Sequence, residues 1–290
     1  ESAYTPVLDG MLTTLSRLGI SFDTFTKEST FVVNGTVAEL MKTLDSLEIS
    51  GTADNGAGYL DLGQRGLKGK TEFFYRRGDG SSLYATRDVA YHMWKWGESN
   101  RLVNVLGEDH KLQAKQVGMT LEELGQKRPN VLFYSFIKVP EGKMSTRRGN
   151  VAFMDDLLEE AHAQASAVVR ELRPEYDDEK VAHIAEAVGA AAVRFNIIKV
   201  SPEKGFTFRW EEALAFEAGS APFIMYAHTR ACSIARRVVG LPESELELPT
   251  VESMPEGLVE LLRLMCTHND VIERSVREQK AHLFALHMLE

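Results

Sequence analysis

The pattern of apolar and polar positions divides the chain into a mixed first part and a helical second part. Apolar residues recur at helical spacing over residues 7–18 and 37–47, which predicts two helices, the first ended by Gly19. Between them, residues 31–33 predict a short strand, and the glycine-containing residues 51–58 predict a loop. This opening stretch holds no set of residues that suggests chemistry, so we assign it none.

An alternation of strands and helices begins at residue 73. The predicted order is strand, helix, strand, helix, strand, over residues 73–76, 86–96, 102–106, 110–124 and 131–139. Thr86 is the predicted N-cap of the first helix, and residues 102–106 are typical of a buried parallel strand. The order predicts a doubly wound, Rossmann-like α/β sheet, whose ligands bind beyond the carboxyl ends of its strands.

The second part of the chain predicts helices only. They cover residues 153–172, 179–199, 210–218, 222–239 and 256–288, with prolines at or near the breaks. A length of 290 residues suits roughly two domains. We therefore divide the chain into an insertion or connecting segment (1–66), the end of the sheet domain (67–150) and an all-α domain (151–290).

Composition narrows the class of protein. The chain is 44% hydrophobic and 26% charged, and no uninterrupted apolar run approaches the eighteen or so residues of a membrane span, so we expect no membrane partner. Two cysteines, Cys232 and Cys266, are too few for a disulfide framework, which predicts a cytoplasmic protein. The chain begins at Glu1 rather than Met, from which we expect further residues upstream.

The net charge of -9 hides an asymmetry between the two parts. Residues 1–150 hold 19 Lys and Arg against 18 Asp and Glu, whereas residues 151–290 hold 14 against 24. Because binding to phosphates depends on neutralisation by cations, any site for a polyanion is expected to be local and to lie in the first part.

Three segments carry residues that could perform chemistry. The first is Gly142–Gly149, which follows a predicted strand and holds Lys143, Ser145 and Arg147. Glycines let the backbone approach a ligand, while the cations and hydroxyl groups can bind phosphates. This segment predicts a phosphate clamp; the alternative is a basic surface turn.

The second segment follows the predicted strand 102–106 and contains Gly107, Glu108, Asp109 and His110. A glycine at this position admits a nucleoside close to the backbone, and Asp109 could accept hydrogen bonds from ribose hydroxyls. The alternative is that Asp109 caps the next helix. His110 could act as a base or ligand, although a single histidine is more often structural.

The third segment places Tyr84 and Asp88 one helical turn apart near the sheet edge. A carboxylate beside a phenol suits a flat cation such as guanidinium, which pairs with a carboxylate through two parallel hydrogen bonds. The alternative is that Asp88 only complements the helix dipole while Tyr84 packs against its neighbours.

In this order the three segments resemble arginyl-tRNA synthetase, a class I aminoacyl-tRNA synthetase. Lys143-Met144-Ser145-Thr146-Arg147 is similar to the Lys-Met-Ser-Lys-Ser loop of the class, and Gly107-Glu108-Asp109 resembles its adenosine-contacting Gly-x-Asp element. The segment from Tyr84 to Tyr91 resembles the arginine pocket of this family and is the most specific match. Residues 222–230 resemble the start of its helical anticodon-binding domain.

The resemblance implies a role for each matched residue. Tyr84 and Asp88 would hold the guanidinium of L-arginine. ATP, brought with Mg²⁺, would be contacted by Gly107, Asp109 and His110 and gripped by Lys143 and Ser145, with Arg147 in place of the second lysine. The implied reaction forms arginyl-adenylate and then transfers arginine to tRNA(Arg), with no covalent enzyme intermediate and no protein-bound metal. We expect a monomer.

On the predicted helix 222–239, a buried stripe is expected at Ala227, Ala231, Ile234, Ala235 and Val238. The face beside it carries Tyr226, Arg230, Ser233 and Arg237. An aromatic ring and arginines on one face could stack on unpaired bases, which makes Tyr226, Arg230 and Arg237 candidate tRNA contacts. A solvated face that partly packs on a neighbouring helix is equally compatible with this spacing.

Two departures from the family pattern set further expectations. No pair among the eight histidines is spaced three residues apart, so the His-Ile-Gly-His element is absent from these 290 residues. Gln113 stands where a histidine usually follows the Gly-x-Asp element. We therefore expect an enzyme fragment without adenylation activity of its own. A non-catalytic RNA-binding or regulatory paralogue, or a different nucleotidyl transferase on a related sheet, stays open.

Overall fold

The computed structural model describes residues 4–138, 153–215, 219–239, 250 and 253–290. Its helices are α1 (Tyr4–Arg17), α2 (Ser29–Val33), α3 (Thr36–Asp45), α4 (Tyr84–Glu98), α5 (Lys111–Glu123), α6 (Met154–Leu172), α7 (Asp178–Ile198), α8 (Trp210–Ala213), α9 (Ala221–Val238), α10 (Glu256–Glu278) and α11 (Ala281–His287). Its strands are β1 (Ser50–Thr52), β2 (Gly58–Asp61), β3 (Glu72–Arg76), β4 (Val103–Gly107), β5 (Asn130–Tyr134), β6 (Ile137–Lys138) and β7 (Phe206–Thr207).

The chain forms two compact units. One is Phe22–Ser135, and the other combines Glu1–Ser21 with Phe136–Glu290. The division into residues 1–66, 67–150 and 151–290 concerns the domains of a protein family rather than compactness, and it stays a prediction.

The Phe22–Ser135 unit contains a three-stranded antiparallel sheet in the order β1-β2-β3. The predicted strand 73–76 is confirmed as β3, but its expected place in a parallel sheet is wrong because β2 pairs with it. The predicted loop 51–58 is also wrong in part, since β1 and β2 form a hairpin there. Gly51 permits this hairpin: a Cβ at that position would lie 2.7 Å from Cζ of Tyr59 across the strands.

A second, parallel sheet of β4 and β5 lies in the same unit, with Gly107 opposite Tyr134. The predicted strand at 102–106 is therefore confirmed, but its predicted burial is wrong. Val103 and Val105 are 46% and 59% exposed, whereas Asn104 and Leu106 between and beyond them are half-buried, so the side chains of β4 are shielded on one face only.

Helices α2, α3 and α4 cover the antiparallel sheet with a core that includes Leu44, Leu60 and Tyr75. The strand predicted at residues 31–33 is wrong, since these residues belong to α2. Three apolar residues are too few to distinguish the two periods, and the packing of Phe31 on Tyr91 decides for the helix.

The predicted helices at 86–96 and 110–124 are confirmed as α4 and α5. Thr86, however, is not the N-cap of α4: the cap is Leu83, and the helix begins at Tyr84. The Thr86 side chain is fully buried, and its hydroxyl donates a hydrogen bond to the main-chain oxygen of Tyr75. That bond fastens the first turn of α4 to β3.

The other unit is a group of helices around the closely packed pair α6 and α7. Gly189 of α7 lies directly against Ala161 of α6, where a Cβ would stand 3.0 Å from the Ala161 carbonyl oxygen. Arg17 of α1 joins both helices: its Nε and Nη1 lie 2.8 Å from carboxylate oxygens of Glu186 and Glu159 respectively. β6 and β7 form a two-residue parallel pair, so the prediction that no strand follows residue 153 is wrong.

Helix α7 is long and apolar enough to cross a membrane by length and hydropathy alone, with a mean hydropathy of 1.4 over its best window. Its buried residues, however, pack on α6 and α8 in this unit, and Glu186 on the helix is ion-paired. These contacts are those of a core helix.

The predicted helix 256–288 is divided into α10 and α11, because Gln279 has a φ of 57° and ends α10.

Candidate active site

A cavity of about 140 Å³ lies in the Phe22–Ser135 unit, at the start of α4. Tyr84 is the first residue of α4, and Asp88 follows one turn later, so both side chains lie on one face and line the cavity. The residue Tyr84 is 58% exposed, whereas the Asp88 side chain is 24% exposed. The structure therefore brings together the two residues that the sequence proposed for a guanidinium.

The pKa of the Tyr84 phenol is raised above its ordinary value. Burial is the main cause, and the negative charges of Asp88 and Glu28 act in the same direction. A phenol with a raised pKa stays protonated at neutral pH and can donate a hydrogen bond into the cavity.

A further part of the lining comes from a segment to which the sequence assigned no chemistry. Thr26, Glu28 and Phe31 line the cavity, and Glu28 lies 2.8 Å from Nε of Arg87 as an ion pair that lacks the geometry of a hydrogen bond. Glu28 is a single carboxylate in a polar stretch, and no local pattern distinguishes it. Only the packing of α2 on α4 brings it to the cavity that Asp88 lines.

The lining of the cavity combines charge with aromatic rings. The two carboxylates, Glu28 and Asp88, face one guanidinium, Arg87, so the charged groups sum to one negative charge. The rings of Phe31 and Tyr91 complete the walls. A flat cation that donates in-plane hydrogen bonds to a carboxylate and packs on rings through its faces matches this lining.

Gly107 ends β4, and Asp109 follows in a short 3₁₀ helix, Glu108–His110. The alternative that Asp109 caps α5 is wrong, because the N-cap position of α5 is His110, whose side chain makes no capping hydrogen bond. The Asp109 carboxylate is exposed and lies against Gly107, where a Cβ would come 2.5 Å from its Oδ1. Gly107 thus leaves the space that this carboxylate occupies.

The neighbours of Asp109 are already engaged. Glu108 accepts a hydrogen bond of 2.8 Å from the Ser135 hydroxyl, and Nδ1 of His110 lies 3.4 Å from the amide oxygen of Gln113. Among the three, Asp109 presents its carboxylate most openly at the end of the parallel strands, where α/β sheets bind ligands.

The predicted phosphate clamp, with Lys143, Ser145 and Arg147, lies outside the described residues. Within the part of the chain that the structure describes, no group of three or more His, Cys, Asp and Glu side chains could hold a metal ion.

The candidate tRNA contacts lie on α9. Tyr226, Arg230 and Arg237 are exposed, and the Arg230 guanidinium stands 5.8 Å from the centre of the Tyr226 ring. The buried stripe predicted on this helix is wrong: Ala227, Ala231, Ile234 and Ala235 are exposed and Val238 is half-buried. The buried residues of α9 are Ala221 and Pro222, because α9 packs on α7 through its N-terminal end.

Comparison with known proteins gives consistent likenesses. The family model described as tRNA synthetases class I (R), catalytic domain, matches residues 2–210. The arginine–tRNA ligase of Methanocella arvoryzae is 43% identical over 284 residues, which cover 98% of this chain and 49% of that protein. The arginine–tRNA ligase of Methanosarcina mazei is 40% identical over 295 residues, which cover 100% of this chain and 51% of the relative.

Solved structures agree on the fold. The arginyl-tRNA synthetase of Thermus thermophilus superimposes with a TM-score of 0.81 at 23% identity, over 96% of this chain and 52% of that one. The Rossmann-like fold class with a following helical part, expected from the sequence, is thereby confirmed. The chain spans about half the length of the curated relatives it matches.

Proposed function

Because the chain belongs to the arginine family of class I tRNA synthetases, we propose that it is the part of an arginine–tRNA ligase that recognises the guanidinium of L-arginine and one side of ATP. The observation that carries this proposal is the cavity in which Tyr84, Asp88 and Glu28 converge. The whole protein would join L-arginine to ATP and then transfer it to tRNA(Arg).

The guanidinium would enter the cavity between the two carboxylates. Asp88, whose side chain is largely shielded from water, would accept two parallel hydrogen bonds from it, and the Tyr84 hydroxyl would lie beside them. The ammonium group of lysine carries the same charge but is compact rather than planar, so it cannot donate two parallel hydrogen bonds to one carboxylate. This difference gives a physical basis for selecting arginine over lysine.

ATP would bind at the end of β4, with Asp109 accepting hydrogen bonds from the ribose and Gly107 and His110 next to the adenosine. Lys143, Ser145 and Arg147 would bind the phosphates together with the Mg²⁺ that accompanies ATP. A carboxylate oxygen of arginine attacks the α-phosphorus, the bond to pyrophosphate breaks, and arginyl-adenylate forms. The chain's own contribution is to hold the reactants in line and to neutralise phosphate charge.

A hydroxyl of the terminal tRNA nucleotide then attacks the arginyl carbonyl, and AMP leaves. Tyr226, Arg230 and Arg237 are proposed contacts for unpaired tRNA bases, since stacking on an exposed ring and a guanidinium is a common mode of recognition. We further propose a cytoplasmic monomer.

The proposal is tested with Asp88→Asn in the whole protein, by arginine-dependent ATP–pyrophosphate exchange. Removing one charge from a paired, shielded site is expected to raise the KM for arginine about 100-fold while the KM for ATP stays unchanged. Asp54→Asn is the matched control, because Asp54 is an exposed carboxylate in the β1–β2 turn of the same unit and does not line the cavity.

An unchanged arginine requirement in Asp88→Asn would refute the assignment of the cavity. If the unsubstituted whole protein binds tRNA but catalyses no ATP–pyrophosphate exchange, that result would favour the non-catalytic paralogue.

A further inference from the structure

A buried histidine lies directly behind Asp88. His92 is 4% exposed and follows Asp88 by one turn of α4. Its Nδ1 lies 2.7 Å from the main-chain oxygen of Asp88 and 3.2 Å from Oδ1 of the Asp88 side chain. The same ring nitrogen therefore contacts both the backbone and the carboxylate of the residue that faces the cavity.

The other ring nitrogen has two partners. Nε2 of His92 lies 2.7 Å from Nδ2 of Asn104 on β4 and 3.3 Å from Nζ of Lys95. Lys95 also lies 3.1 Å from Oδ1 of Asn104. The ammonium group of Lys95 can only donate, so its partner in Asn104 is the amide oxygen. The amide nitrogen of Asn104 then donates to Nε2 of His92.

This arrangement fixes the protons of the ring. Nε2 accepts from Asn104 and from Lys95, so it carries no proton, and the neutral ring must then carry its proton on Nδ1. The Nδ1–H group points at Asp88, where both nearby atoms are oxygens that accept. The hydrogen bond of this group goes to the main-chain oxygen of Asp88, and Oδ1 of the Asp88 side chain lies within 3.2 Å of the same nitrogen.

We propose that His92 is a positioning residue for arginine recognition, which holds the Asp88 carboxylate in the orientation that faces the cavity and is itself held by Asn104 and Lys95. This inference rests on the proposed function of the cavity and adds a residue that lies outside its lining. A carboxylate held at one oxygen keeps its plane, and a bidentate partner for a guanidinium requires a defined plane.

The network also joins the two halves of the proposed site. Asn104 lies on β4, whose end at Gly107 is next to Asp109, and Lys95 stands 4.4 Å above the ring of Tyr91, a wall of the cavity. Burial lowers the pKa of Lys95, while the negative charge of Asp88 opposes this shift. His92 therefore contacts Asp88 directly and is linked to Asp109 only through Asn104 and β4.

The kinetic test uses two substitutions in the whole protein, assayed by pyrophosphate exchange. His92→Asn keeps an amide N–H near the Nδ1 position, whereas His92→Gln keeps a polar group near Nε2 and offers no donor to Asp88. We expect His92→Gln to raise the KM for arginine about tenfold, because the Asp88 carboxylate loses the polar contact with Nδ1, and His92→Asn to recover most of that loss. The KM for ATP should stay within about twofold in both.

Thr120→Val is the control for a purely structural effect, because Thr120 is a fully buried polar residue of α5 in the same unit, away from the cavity. A structural role for His92 predicts that the two His92 variants and Thr120→Val lower the melting temperature and leave the KM for arginine unchanged. That result would overturn the inference, as would equal increases in the KM values for arginine and ATP.

A second measurement needs no activity. In this chain, ¹⁵N NMR of the imidazole rings should show His92 with a protonated Nδ1 and a bare Nε2, and Asn104→Leu should broaden or shift that pattern. A proton on Nε2 would overturn the inference. If Asp88→Asn weakens arginine binding and His92→Gln does not, the positioning role fails alone; if neither does, the proposed function fails with it.

Discussion

The close contact between Gly189 of α7 and Ala161 of α6 gives a quantitative prediction about stability. Replacing a glycine inside a helix by alanine normally stabilises a protein by about 1 kcal/mol, because alanine restricts the unfolded chain. At position 189 the new Cβ would lie 3.0 Å from the Ala161 carbonyl carbon and oxygen and 3.2 Å from its Cβ. The carbonyl carbon and oxygen are backbone atoms of a packed helix, and they cannot rotate away.

The two effects oppose each other in Gly189→Ala. Overpacking of a tight core costs about 1–3 kcal/mol, which exceeds the gain in helix propensity, so the free energy of unfolding should fall by about 1 kcal/mol. Gly10→Ala is the matched control: Gly10 is exposed in the interior of α1, and a Cβ there would meet no atom within 4 Å. That variant should gain about 0.5–1 kcal/mol.

Urea unfolding of the chain, followed by circular dichroism, measures both variants. The two urea midpoints should move in opposite directions with unchanged m-values. The free energies of unfolding of the two variants should then differ by about 2 kcal/mol. If Gly189→Ala is stabilised as much as Gly10→Ala, then α6 and α7 can move apart at little cost, and close helix approach is not what glycine provides at this position.

Three further predictions concern charge and function. Hydrogen bonds from Arg17 hold the pKa of Glu186 below its ordinary value of 4.5, against the effect of burial. The stability that this pair contributes is therefore complete above about pH 4.5 and is lost as the pH falls through the lowered pKa. We expect the urea midpoint of Glu186→Gln to fall less at acid pH than that of the parent chain. Gly107→Ala should displace the Asp109 carboxylate and weaken ATP binding in the whole protein about tenfold, with arginine binding unchanged by titration calorimetry; equal affinities for ATP would contradict the placement of the ribose. The 290 residues alone should catalyse no arginine-dependent ATP–pyrophosphate exchange, and measurable exchange would show that they hold a complete active site.

Local patterns were sufficient for most helices and for the strongest motif. Tyr84 and Asp88 are one helical turn apart, so their common face follows from the helix period once α4 is predicted. The same reasoning failed for residues 31–33, where three apolar residues fit either period, and for β3, whose strand partner could not be identified from its own sequence.

Glu28 and His92 were out of reach for a different reason. Each is a single polar residue without a motif, and each acquires its role from another element: α2 packs Glu28 against α4, and Asn104 on β4 reaches His92. The stripe expected on α9 failed because the helix packs through one end only, so the period of its apolar residues carried no information about burial.

All walls of the cavity at the start of α4 lie within residues 26–91, and the short separation along the chain keeps the entropic cost of assembling them low. β4 and β5 follow these residues along the chain and contribute none of the walls. If the cavity binds L-arginine as proposed, the ligand favours the folded form of this segment by mass action. The proposed ligand would then stabilise its own receptor, while Asn104, which lies outside this segment, contacts the receptor through His92.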